Sequence, residues 1–191
     1  MPWGAGMDSI SRAELCEEYI IYGARCTIAQ IASNVSRKQA KKIYDAIIAS
    51  PSPTGRLPTR WSAFLRRSHE MAVPSQKFLG IYHAQCGNSI FVNFENRAVL
   101  TAYKAYLAIN AQDAVLIDLS LAWTLARSIA QQEDGCDVRS CKHCRSLYLA
   151  KNTASTQCWI CKNAQSVALF ELPITKSLEP LSVAHRVGAL A

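Results

Sequence analysis

Four cysteines in two Cys-x-x-Cys pairs are the residues of this chain best suited to chemistry. Cys141 and Cys144 form the first pair and Cys158 and Cys161 the second, with thirteen residues between them. Thiolate sulfur is a soft donor, and a tetrahedral zinc ion takes four such donors at about 2.3 Å. Each pair can deliver two sulfurs from one turn, and the intervening loop is long enough to carry the second turn back onto the first. The loop is slightly shorter than the roughly 15–20 residues common between such pairs. Four sulfurs leave no open coordination position, so the expected role of one zinc ion is structural rather than catalytic. Cys136 stands five residues before Cys141, a poor spacing for a shared turn, and His143 inside the first turn is expected to point outward.

Competing chemistries fit less well. Two disulfides would need an oxidising compartment. A redox dithiol needs one Cys-x-x-Cys beside a βαβ pattern, and no such pattern is visible. A zinc deaminase would carry His-x-Glu before Pro-Cys-x-x-Cys, and a zincin His-Glu-x-x-His. Neither string occurs, and His69 and His83 are isolated from any nucleophile or paired carboxylate. The chain is therefore expected not to be an enzyme.

Charge points to a partner. The net charge is +7 over 191 residues. Residues 36–67 hold eight basic side chains against one acid, and residues 136–191 sum to +4, whereas the two remaining blocks are each −2. Clustered Lys and Arg form the electrostatic footprint of a nucleic-acid surface, although a short charge run is more often a solvated face. Arg37, Lys38, Lys41, Lys42, Arg56 and Arg60 in the first block, and Arg139, Lys142, Arg145 and Lys151 in the second, are the candidate DNA contacts.

The elements that must position these residues read as helices. Half of the residues are apolar and 18% are charged, which fits a globular chain rather than a disordered one. A first helix spans 8–23, with Leu15, Tyr19 and Tyr22 on one face, widened by Ile20 and Ile21. A short amphipathic segment around Ile28 and Ile31 ends at a Ser33-Asn34 turn. Ser36 then opens a second helix, with Gln39 completing a capping box and Ala40, Ile43, Tyr44, Ile47 and Ile48 as its apolar stripe. This layout suggests a helix-turn-helix, whose second helix enters the major groove, although the turn lacks the usual Gly. Pro51, Pro53, Gly55 and Pro58 make 50–58 an extended loop bearing Arg56. Pro74 is expected to split a helical stretch over 61–85, and 88–93 to be a loop. Helices follow to Asn110 and over 114–130, the latter burying Leu116, Leu119, Trp123 and Ala126. Cys16, Cys26 and Cys86 fall in helical segments as free core thiols.

The expected fold is mainly α. A helical DNA-binding domain with a helix-turn-helix-like segment (1–135) precedes a small four-cysteine zinc module (136–170) and a flexible tail (171–191). The N-terminal residues show no basic stretch followed by an apolar one, and the apolar run 114–130 is interrupted by Asp118 and Arg127. Neither a signal peptide nor a membrane span is expected, which places the protein in the cytoplasm.

Several ordered strings resemble one family. They are Gly23-Ala24-Arg25, Ser36-Arg37, Ser50-Pro51-x-Pro53-x-Gly55-x-Leu57-Pro58, Ala102-Tyr103-Lys104-x-Tyr106-Leu107 and Ala122-Trp123-Thr124-Leu125-x-Arg127, followed by the two cysteine pairs. Together, over about residues 8–170, they resemble FlhC, the C subunit of the bacterial flagellar master transcriptional activator. The resemblance implies a hetero-oligomer with a partner subunit, FlhD. It also implies binding and bending of flagellar promoter DNA and help in recruiting RNA polymerase. It matches the family's zinc ligands to Cys141, Cys144, Cys158 and Cys161. The alternative from the residues alone is a zinc-stabilised protein-interaction module that does not itself bind DNA.

Overall fold

The computed structural model describes residues 9–53, 69–132, 137–150 and 156–164. Arg56, Arg60, Lys151, Cys136 and the tail from 171 lie outside the described residues. The first three helices are α1 (Ser9–Ile21), α2 (Cys26–Ser33) and α3 (Arg37–Ile47). Then come α4 (Ala72–Cys86), α5 (Asn96–Ile109) and α6 (Leu119–Ala130). The strands β1 (Asp137–Ser140) and β2 (Leu147–Ala150) and a short α7 (Trp159–Ala164) complete the described chain. No helix among the described residues is long and apolar enough to cross a membrane.

Helix α1 ends because Gly23 adopts φ +83°, a conformation that costs a residue without Cβ nothing. There Gly23 N–H donates to Ile20 O and Ala24 N–H to Tyr19 O, closing the helix end. Leu15, Cys16, Tyr19 and Ile20 are buried. Ile21, expected to widen the stripe, points out at 58% exposure, and Ile31 of α2 is likewise exposed. Asn34 takes the left-handed position after α2 with φ 54°, which Asn tolerates and which stands in for the missing Gly. Ser36 Oγ then accepts from Gln39 N–H at 3.2 Å as the N-cap of α3. Ala40 and Tyr44 are buried, while Ile43, Ile47 and Ile48 pack against the same core. Helices α1, α2 and α3 contact one another pairwise.

Three segments differ from the sequence reading. Pro74 lies in the first turn of α4, where its missing N–H has no helical acceptor to lose, so it helps start that helix. The 88–93 segment contains a 3-10 turn over Gly87–Phe91. The expected helix from 114 begins only at Leu119, because Asp118 Oδ1 accepts from Leu121 N–H at 2.6 Å and caps it. Leu116 consequently lies ahead of the helix and is only partly buried.

Helix α6 is the centre of the packing. Ten of its twelve residues are buried, all but Arg127 and Ala130. Its polar groups are satisfied within this setting: Thr124 Oγ1 donates to Ser120 O, and Ser120 Oγ accepts from Arg25 N–H. Trp123 Nε1 donates to Asn96 Oδ1 at 2.8 Å, while Tyr19 OH donates to Asn96 O, tying α1, α5 and α6 together.

Strands β1 and β2 form an antiparallel hairpin pairing Val138 with Leu149 and Arg139 with Tyr148. Four-residue strands carry too little alternation to be read from sequence, and the hairpin was not foreseen there. Its pleat serves two cores. Leu149 is buried in the main helical core, with Val138 and Leu147 packed beside it. Tyr148 and Ala150 are buried instead with Cys141, Cys158 and Cys161.

Candidate metal centre

The hairpin turn places the first cysteine pair. Cys141 N–H donates to Ser146 O at 2.9 Å, and Arg145 N–H donates back to Cys141 O at 2.8 Å. Arg145 holds φ 61°, a left-handed conformation unusual for a residue with a side chain. Lys142 N–H reaches Thr156 O at 3.0 Å and so fastens this turn to the segment that brings in the second pair. Cys158 immediately precedes α7, and Cys161 lies in its first turn.

The four sulfurs converge, all within 4.8 Å of one another. Cys141 and Cys161 Sγ are 3.8 Å apart, and Cys144 and Cys158 Sγ are 3.7 Å apart. A regular tetrahedron with metal–sulfur bonds of about 2.3 Å has edges of about 3.8 Å. Donor type, number and spacing therefore fit one tetrahedrally bound metal ion. Backbone N–H groups converge on the sulfurs as well. Cys158 N–H points to Cys141 Sγ at 3.3 Å and Cys161 N–H to Cys158 Sγ at 3.4 Å. Cys141, Cys158 and Cys161 are buried, Cys144 is exposed, and His143 faces solvent.

Burial resists ionisation of the Cys141 thiol, but hydrogen bonds from the backbone N–H groups of Cys144, Cys158 and His143 outweigh it and bring the thiol down to about 6. Burial pushes Cys158 up, against the N–H of Cys161 and the side chain of Gln76. Burial and the three neighbouring cysteines push Cys161 well up. The Cys141 thiolate thus forms readily, while burial above all holds Cys158 and Cys161 as thiols. A divalent cation supplies the opposite charge under which all four can ionise.

The basic residues divide by their partners. Arg37, Lys38 and Lys42 on α3 are exposed and form no ion pair among the described residues. Lys41 is held by Asp45 at 2.6 Å. Lys142 and Arg145 are exposed on the first cysteine turn, whereas Arg139 Nε is bonded to Asp137 Oδ2 at 2.8 Å. Sequence reasoning missed Tyr148, which lies against the cysteines, because β2 is too short to declare its faces. It also missed Gln76, since a glutamine in a helix carries no sign that it is buried.

A family model for the flagellar transcriptional activator FlhC matches residues 6–168, a range that contains all four cysteines. The chain belongs to the FlhC family. Two relatives named flagellar transcriptional regulator FlhC are 28% identical to it. The one from Pectobacterium carotovorum matches over 143 residues, covering 71% of this chain and 68% of that protein. The one from Proteus mirabilis matches over 156 residues, covering 79% and 77%. FlhC relatives carry the name of transcriptional regulators, which is not an enzyme class. The cysteine cluster therefore lies within the segment that marks this chain as FlhC.

Proposed function

We propose that this FlhC chain is a DNA-binding transcriptional activator of flagellar operons. It acts in the cytoplasm in a hetero-oligomer with FlhD and helps recruit RNA polymerase. Cys141, Cys144, Cys158 and Cys161 hold one structural zinc ion that orders a DNA-contacting module. The observation that carries the proposal is the tetrahedral spacing of four sulfurs inside the segment matched to the family. A four-sulfur tetrahedral site suits zinc or iron, and four sulfurs that leave no open position suit a structural zinc.

In this reading residues 1–135 bind partner and DNA, and residues 136–170 are the zinc module. Arg37, Lys38, Lys41 and Lys42 on α3 supply one set of DNA contacts, and Arg139, Lys142 and Arg145 the other. Arg56, Arg60 and Lys151, which lie outside the described residues, are assigned to the same contacts from the sequence alone. Two such sets suit a long or bent DNA site, where phosphates dominate affinity and bending adds shape readout. Exposed Ile10, Ile21, Val92 and Ile109 offer apolar surface of the kind a partner subunit covers.

That apolar surface also favours the second reading, a zinc-stabilised protein-interaction module without DNA contact of its own. Co-expression with FlhD, metal analysis of the purified complex and footprinting on a flagellar promoter fragment decide between them. One zinc per chain and a footprint lost on chelation are expected. A metal-loaded complex that leaves no footprint sinks the activator reading and leaves the interaction module standing.

A further inference from the structure

Helix α4 carries a polar side chain that its own surroundings do not explain. Gln76 is 3% exposed, and neither its Nε2 nor its Oε1 has a hydrogen-bond partner. On the same helix Ala72, Phe78 and Leu79 are buried as ordinary apolar core. An unpartnered buried amide is destabilising, and a leucine of similar size would avoid the penalty.

The position of α4 supplies the missing explanation. It packs against β2 and α7, which contribute Tyr148, Ala150 and Cys161 to the cysteine cluster. The Gln76 carboxamide is near enough to the Cys158 sulfur to favour its thiolate, yet completes no hydrogen bond of ordinary geometry with it. A neutral thiol is a weak acceptor, so in that state the amide makes no well-formed bond. A metal-bound thiolate carries negative charge and accepts N–H strongly. Of the two amide atoms, only the N–H end can serve a sulfur anion.

We propose that Gln76 is a positioning residue of the metal centre, its amide N–H donating to the Cys158 sulfur when that sulfur is a metal-bound thiolate. This rests on the metal-binding reading above. The buried amide is left wanting in the free thiol state and satisfied in the loaded one, so ion binding settles α4 against the cysteine module. Outer partners of this kind fix a ligand's orientation and temper its charge.

The test uses the full chain with three variants, Gln76→Leu, Gln76→Met and Gln76→Glu. Zinc affinity is measured by chelator competition, the metal-free fold by urea denaturation, and the cobalt-loaded protein by its thiolate-to-metal absorption. Leu and Met are expected to weaken zinc binding by about 10- to 100-fold. They should leave the metal-free midpoint unchanged or higher and shift the cobalt band, because the sulfur loses a donor. Glu keeps the shape but in its ionised form offers no N–H, and should weaken zinc at least as far. Parent-like affinity and an unmoved cobalt band in the Leu and Met variants overturn the proposal. So does a fall in metal-free stability that accounts for the whole loss of affinity, which would show packing alone. A parent protein that takes up neither metal refutes the metal-binding reading itself, and this inference with it, before any variant is compared.

Discussion

Cys144 and Cys158 hold their sulfurs 3.7 Å apart although the first is exposed and the second is sealed from solvent. The cluster therefore has one accessible corner. In reduced, metal-free protein, alkylating reagents should reach Cys144 before Cys141, Cys158 or Cys161, and bound metal should protect all four. Cys144→Ser is expected to weaken metal binding by at least about 100-fold, beyond the range seen for outer-sphere changes. It should also unfold the hairpin region, since binding energy here is folding energy. Elemental analysis with mass mapping of alkylated peptides reads both effects. Full metal retention by the variant would show that Cys144 is not a ligand.

The cap on α6 gives a second expectation. Asp118→Ala should destabilise the chain by about 1 kcal/mol, the usual loss for an N-cap carboxylate or hydroxyl. Asn or Ser at the same place should restore most of it. Urea denaturation measures the difference, and an Ala variant as stable as the parent would show that the short bond to Leu121 N–H contributes nothing.

Alkali should unfold the helical core in a defined window. Burial pushes the hydroxyls of Tyr82 and Tyr103 up to about 12, with nearby acidic groups adding to the effect. Free tyrosine ionises near about 10. A group whose folded value is raised stabilises the fold fully below its unfolded value and loses that contribution as pH climbs through its folded one. Stability should therefore decline between about pH 10 and about pH 12, with tyrosinate absorbance appearing together with loss of helix. Tyrosinate signal from these residues near pH 10 in a chain that stays folded would contradict their burial.

Salt and charge substitutions test the proposed DNA contacts. Each phosphate-bound lysine should contribute about one unit to the slope of log affinity against log salt. Lys38→Gln and Lys42→Gln should each reduce that slope by about 1. Lys41→Gln should do less, because Asp45 already holds that ammonium. A flat salt titration of the FlhD complex on promoter DNA would remove phosphate contacts from the proposal.

Arg145 separates backbone from side chain. Its left-handed backbone costs about 1 kcal/mol relative to glycine. Arg145→Gly is expected to keep or slightly raise the stability of the first cysteine turn while weakening DNA binding. Unchanged DNA affinity in a more stable variant would take Arg145 off the contact surface.

The sequence was informative where chemistry is local. The pairing of Cys-x-x-Cys strings announced the convergence of four sulfurs, and Ser36 with Gln39 announced the start of α3, because each depends on neighbours a few residues apart. It was misleading where one side chain serves two roles. Asp118 reads as an interruption of an apolar run until its carboxylate is seen capping α6. Pro74 reads as a helix breaker until its place in the first turn is known. Ile21 and Ile31 follow helical periodicity yet face outward, since three mutually packed helices leave some flanks uncovered. Gln76 could not have been found at all, for nothing near it in the chain points to sulfurs more than eighty positions away.

Tyr148 and Leu149 are successive residues whose side chains enter different interiors, one among the sulfurs and one among the helices. A two-stranded ribbon this short does not persist by itself in water, so each interior lends the ribbon to the other. The cysteine region is thus a keystone rather than an appendage. On the metal-binding reading, a cell short of the ion would loosen Val138, Leu147 and Leu149 from the helical core along with the sulfurs, and proteases would then govern how long the chain lasts.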